Sequence, residues 1–263
     1  DAARLQEADA LRDQRKAPRA GREPFKPLFT DADVTRFLPQ LRAMPIGQWA
    51  QVAAGVRVRP VDSGHILGSA SLEVVVTESG KDRTLVFSGD IGPTGIPLLH
   101  DPTPLHHADL VVMESTYGDR DHRLLQDTIA EAERIMHEAI WNHSKVLIPA
   151  FAIGRTQLVL YYLARLSRSG RVPRFPIFLD SPMAVAAMKA YTKNFATLDA
   201  QSREIITPGE ACFDIPDFTC TESAEASKAL NDREGTAVII AGSGMCNGGR
   251  ILHHLKHNVW RRD

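Results

Sequence analysis

The sequence predicts a two-part α/β chain, an antiparallel β-meander followed by a parallel sheet interleaved with helices. Three observations predict it. Residues 56–61 and 69–76 partly alternate apolar and polar side chains, the period of strands with one wetter face, and a turn-forming stretch at 78–82 leads into Arg83-Thr-Leu-Val-Phe87. After Asp109 the apolar residues instead fall in short solid runs at 110–113, 146–148, 175–179 and 237–240. Such runs mark strands covered on both faces. Between them Leu125, Ile129, Ala132, Met136, Ala139 and Ile140 recur at three- and four-residue steps, as do Leu158, Val159, Tyr162, Leu163 and Leu166. Each set places one apolar stripe on a helix. Split at residue 119, the two halves, 1–119 and 120–263, read differently in hydrophobic period.

Ahead of the meander, residues 1–16 have helical character and 17–27 form a basic Pro/Gly-containing stretch read as a solvated loop. Thr30 with Asp33 predicts a helix N-cap leading into Val34, Phe37 and Leu38, with Pro39 shortening that helix. The 263 residues carry 31 basic and 32 acidic side chains, a net charge of −1, so bulk charge points to neither nucleic acid nor an anionic membrane. Any phosphate site must be local. No apolar run approaches the roughly 18 residues of a membrane span. Three irregularly spaced cysteines (Cys212, Cys220, Cys246) argue against a disulfide framework or a zinc ribbon and for a reducing, cytoplasmic setting. The chain starts on Asp1 with no export pattern and reads as a fragment.

Three chemistry-bearing residues stand at glycine-bearing strand ends. His65 lies in Asp62-Ser-Gly-His-Ile-Leu-Gly-Ser69, Asp90 in Phe87-Ser-Gly-Asp-Ile-Gly92, and Glu114 in Met113-Glu-Ser-Thr-Tyr-Gly118. Each has a bland explanation in turn chemistry. Three successive strands delivering an imidazole or a carboxylate in this way suggests convergence on one site. Two further segments suit phosphate. Residues 242–249, GSGMCNGG, lie between an apolar run and a helix starting near Arg250, so backbone N–H groups and a helix N-terminus can face an anion. The segment lacks the Gly-Lys-Ser/Thr of a nucleotide loop and dinucleotide spacing, which disfavours ATP and NAD. Phe151-Ala-Ile-Gly-Arg155 opens another helix, where Arg155 either grips a phosphate or pairs with a neighbouring carboxylate. His253 and His257, four apart, share a helix face without a third matched ligand, and a His-rich last turn suits a helix C-terminus. His106 and His107 fall in an exposed Pro-rich loop, Cys246 is read as small packing, and Asp180 in DSPM as structural.

The ordered series GHILGSAS, FSGDIG, MESTYGDR, IPAFAIGRTQ, FLDSPMA and AGSGMCNGGRILHHLKH resembles the metallo-β-lactamase-fold nucleases of the β-CASP group, especially bacterial and archaeal RNA-processing members related to the cleavage-and-polyadenylation endonuclease. The resemblance implies part of a metallo-β-lactamase αββα sandwich over 1–119 and an inserted parallel-sheet α/β β-CASP domain over 120–263. It implies His65 and Asp90 as metal ligands, Asp90 bridging two zinc ions, with Asp90 and Glu114 as the catalytic carboxylates, Glu114 supporting a histidine that protonates the leaving oxygen. It tips Arg155, Ser243, Gly244, Asn247, Gly248 and Arg250 towards phosphate binding. The activity implied is zinc-dependent cleavage of RNA, in the cytoplasm, without a membrane partner and with room for a homodimer. RNA over DNA rests on the resemblance alone. The family's His-x-His-x-Asp-His motif and its two later histidine motifs are not in this sequence, so the chain reads as the middle of a longer protein. An inactive β-CASP scaffold or RNA-binding partner of an active nuclease is the alternative, and a small-ester or thioester hydrolase on the same metal fold is a third reading.

Overall fold

A computed structural model describes residues 2–204 and 215–260 of the chain, with Cys212 outside them. Two compact units divide it, residues 1–45 and 46–263. In the first, helix α1 (Ala2–Lys16) is followed by a short turn and by α2 (Asp31–Phe37). The predicted cap of α2 is present as a reciprocal pair: the Asp33 N–H donates to the Thr30 hydroxyl, while the Thr30 N–H donates to the Asp33 carboxylate at 2.8 Å. Pro39 ends this helix in a 3-10 turn, since a proline cannot donate the N–H that a further α-turn requires.

The larger unit holds two sheets that share no strand. Strands β1 (Ala50–Ala53), β2 (Val56–Asp62), β3 (Ala70–Glu78) and β4 (Lys81–Phe87) form the meander, and β5 (Leu110–Val112) joins β4 in parallel. Register fixes which ends coincide: Asp62 faces Ala70, Leu72 faces Phe87, and Phe87 faces Val112. The end of β2, the start of β3 and the ends of β4 and β5 therefore lie along one edge. The three segments bearing His65, Asp90 and Glu114 all leave from that edge. The solid apolar run at 110–113 corrects one expectation: it belongs to this sheet, as an exposed edge strand, and not to the doubly covered one. A four-residue apolar run carries no information about which sheet will accept it.

The second sheet is wholly parallel, in the order β6 (Lys145–Pro149), β9 (Ala237–Ala241), β7 (Ile177–Asp180) and β8 (Phe218–Cys220). Every residue of the inner strand β9 is buried, as its unbroken apolar run requires. Helices α3 (Leu125–Trp141), α4 (Arg155–Arg168), α5 (Pro182–Lys193), α6 (Ala224–Asp232) and α7 (Arg250–Asn258) alternate with these strands. On α4 the buried face is rotated from the predicted stripe: Thr156, Gln157, Leu160, Tyr161 and Ala164 are buried with Leu163 and Leu166, while Leu158, Val159 and Tyr162 are only partly covered. Gln157 belongs on the inner face because its amide closes the preceding turn, accepting from the Gly154 N–H at 2.7 Å and donating to the Ala152 carbonyl at 3.0 Å. A hydrophobicity pattern cannot register a buried residue of that kind.

Candidate functional site

The loop carrying His65 is built by short polar bonds. The Gly64 N–H donates to Asp62 Oδ1, and Ser69 Oγ accepts from the N–H groups of both His65 and Ile66 at 3.1 Å. The Asp90 loop lies against it, the Gly92 N–H donating to the Ser63 carbonyl at 2.8 Å. A Cβ on Gly92 would fall 1.9 Å from the Gly64 carbonyl oxygen, so only glycine allows the two loops to touch. Their contact brings His65 Nε2 to 3.8 Å from Asp90 Oδ2, with the side chains 43% and 70% exposed. That is well inside the roughly 8 Å allowed to ligands of one metal centre.

Glu114 is tied to the same loop. Its Oε1 accepts the Ile91 N–H at 2.7 Å and its Oε2 the Thr116 hydroxyl at 2.8 Å, while its own N–H donates to Ser88 Oγ. The Ile91 bond chiefly, then Thr116 and the neighbouring His65, hold the Glu114 carboxyl below its ordinary range. It is thus an anion at neutral pH, suited to orienting a cationic or proton-bearing partner. An imidazole and a carboxylate at the His65–Asp90 spacing are donors that suit zinc. No group of three or more metal-binding side chains occurs among the described residues, so the pair fits as part of a centre and not as a whole one.

Residues on the helices and loops that follow β6 and β7 hold these loops, and of them only Gly154 lay in a motif the sequence singled out. Ile66 packs where Gly154 has no side chain, a Cβ there falling 2.5 Å from Ile66 Cγ2. Burial pushes the Tyr191 phenol up, with the Leu67 backbone, two residues from His65, acting in the opposite direction. Asp199 Oδ2 and Ser202 Oγ accept the Leu98 N–H at 2.5 and 2.8 Å, anchoring the segment downstream of Asp90.

The predicted phosphate segments sit at the carboxyl ends of β6 and β9. Arg155 begins α4, is exposed, and makes no side-chain hydrogen bond or ion pair among the described residues. In the 242–249 loop, Ser243 Oγ donates to Asn247 Oδ1 at 2.7 Å, and the Ser243 N–H to the Gly248 carbonyl at 3.2 Å. Gly249 has φ +75° and a Cβ there would lie 2.4 Å from the Gly242 oxygen. Gly244 abuts Phe151.

Arg250 is placed differently from Arg155. Its guanidinium turns inward to Asp180 Oδ1 at 2.7 Å and to the carbonyls of Thr221 and Glu222 at 2.9 and 2.7 Å. Asp180 is fully buried and also accepts from Ser227 Oγ at 2.6 Å and His254 Nε2 at 2.7 Å. Burial alone would raise the Asp180 carboxyl, and the bonds from His254, Ser227 and Arg250 outweigh it, holding the group below the usual carboxylate range. The other His254 nitrogen, Nδ1, faces Asn231 Oδ1 at 2.9 Å, so both ring nitrogens face acceptors. His253 and His257 are exposed on α7, whereas His254 is the buried histidine that anchors it. The signal for His254 was its place between Ile251 and Leu255 on the inner helix face.

A meander sheet with a parallel edge strand, its loop-borne His and Asp meeting beside a parallel α/β sheet, defines part of a metallo-β-lactamase-type fold continued by a β-CASP-type domain. Residues 156–263 match the Beta-Casp domain. Over 234 residues the chain is 40% identical to Ribonuclease TTHA0252 of Thermus thermophilus, a match covering 89% of this chain and 53% of that protein. It is 30% identical to the Transcription termination factor FttA of a Lokiarchaeum (82% of this chain, 34% of the relative) and 28% identical to the RNase J-like protein of Methanocaldococcus jannaschii (87% and 52%). Residues 156–263 thus match the Beta-Casp family and the chain as a whole is similar to these relatives, of whose length it spans between about a third and a half.

Proposed function

We propose that the chain forms part of a zinc-dependent phosphodiesterase that cleaves RNA. The observation that carries this reading is the 3.8 Å approach of His65 to Asp90, with Glu114 bonded to the intervening backbone. The ribonuclease and termination-factor names of the relatives support RNA as the substrate. His65 and Asp90 would supply two ligands to the metal, and zinc when bound supplies a water with a pKa near 7 and a counter-charge for a phosphate. Glu114, already an anion, orients the proton donor for the leaving oxygen. Arg155 and the 242–249 loop grip the phosphate backbone, a few contacts in a nearly neutral chain. Among the described residues no helix is long and apolar enough to cross a membrane, and the reading places the protein in the cytoplasm.

The test is cleavage of an end-labelled RNA by the intact protein, with and without chelator, beside Asp90→Asn. Loss of cleavage in both arms with RNA binding retained is expected. Undiminished cleavage by Asp90→Asn would overturn the assignment of Asp90. RNA binding with no cleavage by the zinc-loaded wild type would favour the scaffold alternative.

A further inference from the structure

We propose that the open face of Phe151 is a stacking platform for a base of single-stranded RNA whose phosphate is held at Arg155 and the 242–249 loop. The proposal rests on the reading of RNA as substrate and extends it to a base-binding residue. β6 continues its pairing for one residue, the Ala150 N–H donating to the Ala241 carbonyl, and the chain then turns sharply. That turn is rigid: the Phe151 carbonyl accepts both the N–H and the hydroxyl of Thr156, at 3.3 and 2.7 Å, and Gln157 closes the next two residues.

The ring itself is seated on backbone. A Cβ on Gly244 would lie 3.0 Å from Phe151 Cδ2 and 3.2 Å from Cε2, so the absent side chain at 244 is what lets one edge of the ring rest on the glycine loop. The remainder is open to solvent, Phe151 being 54% exposed. Ile153, Met183 and Met245 are also exposed, on the same turn, on the first turn of α5 and on the glycine loop. Four residues further along the turn stands the unpaired guanidinium of Arg155.

A fixed aromatic face, a free cation beside it and a glycine-rich backbone make up the chemistry that holds a single strand, bases by their faces and phosphates by charge. An apolar protein partner suits the patch less well, because docking one would bury Arg155 without a counter-charge. Charge balance adds a second argument. With a net charge of −1 the chain as a whole exerts no net attraction on a polyanion, which leaves room for uncharged stacking to contribute to the affinity.

Binding of a cleavage-resistant single-stranded RNA to the intact protein, measured by anisotropy at several salt concentrations, tests the proposal. Phe151→Ala should weaken binding about 5- to 100-fold with the salt slope unchanged, and Phe151→Trp should restore it. Abasic substitution, scanned along the RNA, should find one position whose loss costs wild type a similar factor and costs Phe151→Ala nothing. Wild-type affinity in Phe151→Ala, or an abasic effect that adds to it at every position, overturns the platform while leaving RNA binding standing. Failure of the wild type to bind RNA overturns both.

Discussion

Replacing Asp180 with asparagine preserves the shape of a fully buried side chain and removes its charge. In the native protein three donors, on His254, Arg250 and Ser227, reach this carboxylate at 2.6–2.7 Å, and none of the group is exposed to solvent. An amide in its place can keep its oxygen towards Arg250 only by turning its NH2 to the His254–Ser227 pair, which makes the hydroxyl rotate and the imidazole give up its donor role at Nε2, and every remaining bond loses its charge. Hydrogen bonds to a charged group contribute about 1.5–3 kcal/mol each, and removing one partner of a buried ion pair costs about 3–5 kcal/mol. These figures describe the same interactions and do not add. Arg250 keeps two carbonyl partners, so the lower part of the range, about 3 kcal/mol, is expected. Against a typical domain stability of about 5–15 kcal/mol the variant should still fold.

Urea unfolding read together with amide exchange at Leu179 and Ile240 would locate the loss in the second sheet. The pH dependence gives an independent check. Because the folded carboxyl titrates below its ordinary value of 3.8, its stabilisation is complete above that value and disappears as the pH falls through the lower folded one. Asp180→Asn should therefore flatten the acid limb of the stability profile. A loss under about 1 kcal/mol, with an unchanged acid limb, would refute the claim that a buried charge ties α7 to β7.

Gly92→Ala should force the His65 and Asp90 loops apart, since the new Cβ meets the Gly64 oxygen at 1.9 Å, and NMR of the two loops should show shifts confined to that edge with the parallel sheet unchanged. Unshifted His65 resonances would count against the contact. In the first unit, Asp33 titrates at about 2, held down first by the Thr30 hydroxyl and then by the Thr30 N–H and Arg36. The α2 cap should thus be fully formed above pH 3.8 and lost as the pH falls through about 2, which a carboxyl-carbon titration of Asp33 would register. A midpoint near 3.8 would show the reciprocal cap to be absent in solution.

The sequence by itself determined the elements and the order of the motifs. Period-two alternation placed the meander, an unbroken apolar run placed β9, Thr30 and Asp33 placed the start of α2, and glycines beside His65, Asp90 and Glu114 marked the strand ends from which the site grows. These are local matters, decided by backbone sterics and side-chain period within a few residues. Tertiary structure alone decided that 110–112 joins the first sheet, that Gln157 turns inward on α4, and that Arg250 faces Asp180 while Arg155 remains free. It also decided which of three histidines on α7 is the anchor. The inward turns of Arg250 and His254 depend on Asp180, 70 and 74 positions earlier, while that of Gln157 depends on backbone groups three and five residues back that a hydrophobic pattern does not record. A buried polar group is stable only where such a partner completes its hydrogen bonds, and a linear pattern of hydrophobicity carries no record of where that partner will be.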